Sequence, residues 1–164
     1  CIGGAFTQLC SCDFAIASDD ATFSLSEINW GILPGGGVTW TIANTLNPRD
    51  AMYYCCTGEA FDGKKAEAMG LINKSVPAGQ LKEEVVKLAN DMRKKNPEVL
   101  RATKQAVRRV RGMDYFQALD YLAAKMSEIR MRDPEDSFHQ GLTQFLDEKS
   151  YRPSFEPFKR PTAE

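Results

Sequence analysis

The stretch SLSEINWG, residues 24–31, sets one carboxylate, Glu27, among small polar and apolar residues. A carboxylate where burial is expected is costly unless it is paired or used. The residue types leave two readings open. Glu27 either caps or salt-bridges within its own loop, or it is enclosed near Ile28 and Trp30. In the second case it could take and give a proton at one centre. The stretch IGGAF, residues 2–6, is a second candidate with two readings. Gly3 and Gly4 either make a tight turn into a helix or leave backbone N–H groups open at its start. Such groups hold negative charge developing on an oxygen, and Gly4 would be the donor.

Other chemistries find less support. The glycines of Pro34–Gly37 are followed by no Gly-Lys-Ser/Thr, so they form a turn and not a phosphate-binding loop. The single histidine, His139, lies among polar residues on the last expected helix, which suggests a surface role. No Ser-His-Asp set lies within short reach, and no metal cluster is evident. The five cysteines, Cys1, Cys10, Cys12, Cys55 and Cys56, are odd in number and spaced C-x-C and C-C. That suits neither a disulfide framework nor a zinc site. It suits reduced thiols of a cytoplasmic protein, mostly packed as small core residues. Arg101, Lys104, Arg108 and Arg111 recur at helical spacing, as a solvated face or a phosphate-binding one.

The chain has 164 residues, 43% of them hydrophobic, enough for one domain or most of one. Its formal net charge of −1, from 21 basic and 22 acidic residues, gives no general attraction to nucleic acid or an anionic membrane. No apolar run approaches the roughly 20 residues that span a bilayer. There is no initiating Met, and CIGGAF reads like the middle of a folded element. The C-terminal portion of a longer polypeptide is therefore expected.

Short elements must position the candidate residues. The glycines lead into a short buried helix ending near Cys12. Strands are expected over 13–18 and 22–25, and a helix over 38–46 follows the glycine loop. Helices over 48–58 and 62–70 both close on glycine, Gly58 and Gly70. A strand over 71–76 precedes amphipathic helices over 81–95, 97–111 and 114–131, the second opening on Pro97. Asp133-Pro134-Glu135-Asp136 signals a last helix running to about Leu146. The tail after Ser150 holds three prolines and is expected to wrap a surface. Residues 1–77 thus read as a site-bearing core and residues 78–164 as a helical module and tail.

Three stretches, GGAF…CDFAIASDDATFSLSEINWGILPGGG, TGEAFDGKKAEAMGLINKSVP and FLDEKSYRP, resemble in order and spacing the crotonase (enoyl-CoA hydratase/isomerase) superfamily. SEINWG with its single acid, KNPEVLRATKQ and DYLAAKM further resemble the hydroxycinnamoyl-CoA (feruloyl-CoA) hydratase-lyase branch. The resemblance runs over nearly the whole chain and covers the C-terminal 60% or so of such an enzyme. It implies an α/β fold, the last part of a spiral of ββα units, followed by a helical module that makes homotrimers, often paired into hexamers. It implies an acyl-CoA thioester as substrate, with no metal and no resident cofactor. Gly4 matches one amide of the thioester oxyanion hole, the other coming from the N-terminal half of the same polypeptide. Glu27 matches the catalytic acid. Thr7 stands where hydratases of the wider family carry a second glutamate, and would orient water. Asn29, Trp30 and Gly31 belong to the branch motif and would line the acyl pocket.

There is one departure. The branch carries a tyrosine for the 4-hydroxyl of the aromatic acyl group, and the matching position is Ala123. Tyr121, two residues earlier, lies on another helix face. Ala123 therefore favours a rival expectation, a general enoyl-CoA hydratase or isomerase acting on another acyl chain. A second rival is a non-catalytic crotonase-like assembly module.

Overall fold

The first helix starts directly after the paired glycines: α1 spans Ala5–Ser11, with Gly4 as its N-cap. In the computed structural model, which describes residues 1–152 and 157–161, the chain divides into two compact units, Cys1–Lys87 and Leu88–Glu164. The sequence reading drew its line at residue 77. The division falls inside helix α5 (Leu81–Arg93), whose Glu84 pairs at 2.6 Å with Lys74 of the first unit.

In the first unit, strand β1 (Ile16–Ser18) runs parallel to β4 (Lys74–Val76), with Ile16 opposite Lys74 and Ser18 opposite Val76. Strand β2 (Phe23–Ser24) runs antiparallel to β3 (Ala60–Phe61), with Phe23 opposite Phe61. Both ladders are shorter than expected. Residues 13–15 leave the ladder because Asn73 serves them instead: its side-chain oxygen accepts from Ala15 N–H and its own N–H donates to Ala15 O, both at 2.8 Å. Leu71 and Ile72 are buried beyond the end of helix α4 (Gly63–Ala68) and form no strand.

The core gathers around aromatic rings. Phe23 and Phe61 stack across their strand pair at 5.5 Å, Phe6 of α1 meets Phe23 edge-on at 6.3 Å, and Tyr54 lies 4.5 Å from Phe61. Leu25, Val38 and Ile42 complete the fully enclosed part. Each such side chain contributes about 1.5–3 kcal/mol by leaving water, so α1 and β2 are held rigidly together beneath the glycines. Tyr54 comes from helix α3 (Pro48–Thr57), which opens on Pro48 behind an Asn47 cap and closes on left-handed Gly58. Val38 and Ile42 come from helix α2 (Val38–Thr45).

The second unit contains α6 (Pro97–Val110), α7 (Tyr115–Arg132) and α8 (Ser137–Leu142), the last continued by a wider turn over Thr143–Asp147. Asn96 caps α6 by accepting from Val99 N–H, and its amide donates to Asp133 Oδ1 at 2.9 Å and Ser137 Oγ at 2.6 Å. The expected last helix begins later than its Asp-Pro signal, because Asp133 itself accepts from the N–H groups of Glu135 and Ser137. Burial alone would push the Asp133 carboxyl up. Hydrogen bonds from Ser137, Glu135 and Asn96 outweigh it and hold that carboxyl below the ordinary aspartate range. A lowered folded-state value means stability that is present above the unfolded value and lost as pH falls through the folded one.

The described part of the tail is anchored. Arg160 donates through Nε and Nη2 to both oxygens of Glu135, at 2.8 and 2.6 Å, and through Nη1 to Lys95 O at 2.8 Å. Arg160→Ala is expected to lower the Tm by several degrees, because Glu135 would keep its buried carboxylate without that fork. An unchanged melting curve would show that the tail contributes nothing to this unit. Residues 153–156 and 162–164 of the proline-rich tail, Pro153 of the FLDEKSYRP stretch among them, lie outside the described residues.

Candidate active site

Strand β2 places the acid against the glycines. Gly3 N–H donates to Ser24 O at 2.9 Å and Ser24 N–H to Cys1 O at 3.2 Å, which aligns the segment before α1 along β2. After Leu25 the chain enters a tight 3₁₀ turn, Ser26–Trp30, closed by left-handed Gly31. The sequence reading had no element here; the turn has five residues, too few for a helical period to show. It brings the Glu27 carboxylate back onto Gly3. A Cβ built on Gly3 would stand 3.2 Å from Glu27 Oε1 and 3.8 Å from Oε2. Gly3 has φ +55°, so its identity serves both the backbone and the carboxylate beside it.

Glu27 is not spent on its own turn. No side chain caps the turn, and Glu27 Oε2 is buried with no hydrogen-bond partner. An unpaired buried oxygen is expensive, so its retention points to use. The expected enclosure by Ile28 and Trp30 is corrected: Ile28 is exposed and Trp30 is 76% exposed. Gly3 lies beside the carboxylate instead, and Cys55 of α3 is near enough to feel its charge. Burial pushes the Cys55 thiol of α3 up, and Cys56 and the Glu27 carboxylate add to the rise.

Gly4 follows Gly3 at the start of α1 with φ −53°. Gly4 is exposed, and a Cβ there would meet no heavy atom within 4 Å. Thr7 lies one turn further along α1 and donates its hydroxyl to Gly36 O at 3.2 Å, tying the helix to the glycine loop. Its proton is thus directed at the loop, and only its lone pairs are open to water. Asn29 lies over Gly58 at the end of α3. Gly31 serves as the left-handed cap of the turn. Ala123 is exposed midway along α7 in the second unit, where its carbonyl accepts from Ser127 Oγ at 3.2 Å. Gly3 was not expected beside the carboxylate, and Gly58 was expected only to close a helix. The sequence signal for both was a glycine at a helix boundary.

All five cysteines are free thiols, but Cys1, Cys12 and Cys56 are exposed, contrary to the expectation of mostly core positions. His139 is on the surface beside Asp136. Among the described residues, no group of three or more His, Cys, Asp or Glu could hold a metal ion. No helix among them is long and apolar enough to cross a membrane. A cavity of about 450 Å³ opens elsewhere, lined by Asp20, Tyr54, Glu59, Asp62 and Lys65 among others. None of the candidate residues lines it.

The profile of the enoyl-CoA hydratase/isomerase family matches residues 1–156. The chain belongs to this family. It is 48% identical over 160 residues to a hydroxycinnamoyl-CoA hydratase-lyase of Pseudomonas fluorescens, covering 98% of this chain and 58% of that protein. It is 26% identical over 159 residues to a mevalonyl-coenzyme A hydratase of Aspergillus fumigatus, covering 97% and 58%. Among solved structures, an enoyl-CoA hydratase subunit of Geobacillus kaustophilus superposes with a TM-score of 0.82 at 28% identity, covering 94% of this chain and 58% of that one. The crotonase fold is therefore established for this family member, which spans 58% of the length of the two curated relatives named here.

The seat of the carboxylate can be tested within the site. Gly3→Ala strains a left-handed position by about 1–2 kcal/mol and pushes a methyl group at Glu27 Oε1. Any acid–base turnover that depends on Glu27 is expected to fall about 10-fold or more. Unchanged kinetics would mean that the carboxylate has room to move without consequence.

Proposed function

We propose that the complete polypeptide is a hydratase-lyase that converts a hydroxycinnamoyl-CoA, such as feruloyl-CoA or 4-coumaroyl-CoA, to an aromatic aldehyde and acetyl-CoA. The observation that carries this reading is the buried, unpartnered Glu27 Oε2 beside Gly3, one residue from the exposed Gly4. The likeness to a hydroxycinnamoyl-CoA hydratase-lyase supports the choice of substrate.

The thioester oxygen is held by Gly4 N–H and by a second amide from the N-terminal half of the polypeptide. One such donor contributes about 2.7–4 kcal/mol towards the transition state. Polarisation makes the β-carbon electrophilic. The Glu27 carboxylate takes a proton from water, hydroxide adds to the β-carbon, and the electron pair moves onto the thioester oxygen as an enolate. The Glu27 carboxylic acid returns that proton to the α-carbon, giving the 3-hydroxyacyl-CoA. Glu27 then takes the β-hydroxyl proton, the Cα–Cβ bond breaks, and the aldehyde leaves. The remaining acetyl-CoA enolate, in the same hole, takes the proton back from Glu27. One acid suffices because it alternates between forms. CoA is part of the substrate and not a resident cofactor.

Asn29, Trp30 and Gly31 are assigned to the acyl pocket, and Thr7 to orienting water. A homotrimer, or a hexamer of two trimers, is the proposed assembly, with the exposed Tyr115, Phe116 and Leu119 of α7 as contacts. A cytoplasmic setting is supported by the free thiols. From feruloyl-CoA the aldehyde would be vanillin. Product analysis tests the reading: an aromatic aldehyde with acetyl-CoA in equal amounts is expected. A 3-hydroxyacyl-CoA alone would instead establish a general enoyl-CoA hydratase. Ala123 favours that second reading, since a methyl group offers a phenol no hydrogen bond.

A further inference from the structure

We propose that Gly58, at the C-terminal cap of α3, is the positioning residue that holds the turn carrying Glu27. This rests on the reading of Glu27 as the acid–base group. The turn Ser26–Trp30 has Gly3 on its Glu27 side and Gly58 on its Asn29 side. A Cβ at Gly58 would fall 2.6 Å from Asn29 Nδ2 and 3.1 Å from both Asn29 Cγ and Ile28 Cγ2. The Ile28 and Asn29 side chains of the turn therefore rest on a buried glycine.

Both seats are tied to one residue. Ser24 O accepts from Gly3 N–H at 2.9 Å, and Ser24 Oγ donates to Gly58 O at 3.1 Å. Gly58 itself is fixed to α3 by its N–H to Tyr54 O at 3.1 Å. The turn is five residues long between two seats that both bond to Ser24, so a push on its Ile28 and Asn29 side chains acts close to the carboxylate. Bulk at position 58 is passed on as displacement of the carboxylate at Gly3.

Gly70 provides the comparison. It is also left-handed, φ +76° against +64° at Gly58, yet a Cβ there meets nothing within 4 Å. Gly58→Ala and Gly70→Ala thus share the backbone strain, and only the first presses on the turn. In the complete polypeptide, Gly70→Ala is expected to keep its kcat. Gly58→Ala is expected to lose about 10- to 100-fold in kcat, as displaced reacting groups do, beyond any rise in KM from the displaced Asn29 side chain. A crystal structure of Gly58→Ala is expected to show the carboxylate displaced from Gly3. In an Asn29→Ala background, where most of the obstruction is gone, Gly58→Ala should cost less than it does alone.

Equal kcat for the two alanine variants, or Glu27 still against Gly3 in the Gly58→Ala crystal, would overturn the assignment. So would a Gly58→Ala protein that does not fold while Gly70→Ala does, since Gly58 would then serve the fold at large. Absence of turnover by the unmodified polypeptide would count against the proposed function alone. The crystallographic position of Glu27 would still decide the role of Gly58.

Discussion

Glu27→Gln in the complete polypeptide is expected to lower kcat by about 10²–10⁴-fold, the range for loss of a positioned acid–base group. Stability should stay level or rise. The amide keeps the shape of the side chain but cannot accept and return a proton, so both steps of the proposed reaction lose their shuttle. The buried Oε2 has no hydrogen-bond partner to forfeit, and a neutral amide costs less to desolvate than a carboxylate. Steady-state kinetics and a melting curve on the same preparation check both halves. A large loss of kcat with an unchanged or higher Tm would identify a group kept for chemistry at the expense of stability. Turnover within about threefold of the parent would remove Glu27 from the mechanism. A Tm falling together with kcat would return it to the structural role that its loop position first allowed.

Helix ends were legible because their signals are local and chemical. Pro97 opens α6 and Gly58 closes α3 as expected, while the caps Asn47, Asn96 and Asp62 emerge from the structure. The two-residue strand β3 was not legible. It exists because Phe61 stacks on Phe23 across the sheet, a partner 38 residues away in the chain. Strands were overextended at 13–15 and 71–73 for a similar reason, since the Asn73 side chain replaces a ladder partner that periodicity could not foresee. In the site, Glu27 stood out as a lone acid, but its surroundings did not. Ile28 and Trp30 are its neighbours in sequence, yet the tight turn carries them outward and leaves the carboxylate to Gly3. The boundary of the helical module was read from the change in periodicity near residue 77. The division of the structure follows packing instead, and the Lys74–Glu84 pair ties the start of α5 to the first unit.

Gly63→Ala is expected to have the opposite signature, with stability lost and chemistry kept. Gly63 opens α4 against β1, and a Cβ there would fall inside the contact distance of Ser18 O and within 2.9 Å of Ser75 Oγ. The first neighbour is backbone, held in the parallel pair with β4, so no rotamer change relieves the clash. Around it Gly63 N–H donates to Asp19 O at 3.1 Å, Asp19 N–H to Val76 O at 2.7 Å, and Ser75 Oγ to Asp19 Oδ1 at 2.6 Å. Either α4 withdraws, uncovering Ala66 and Met69, or β1 shifts and these bonds lengthen. The cost is about 3 kcal/mol, the upper part of the usual range for an overpacked site, and a Tm fall of roughly 6–12 °C. The folded fraction should retain its kcat, because the added methyl meets Ser18 and Ser75 and none of the turn that carries Glu27. Chemical denaturation and kinetics below the transition test the two halves separately. A variant as stable as the parent would show that the α4–β1 contact is loose enough to admit a methyl group. Loss of kcat in a fully folded variant would show that the parallel pair, and not only the turn between Gly3 and Gly58, sets the position of the acid.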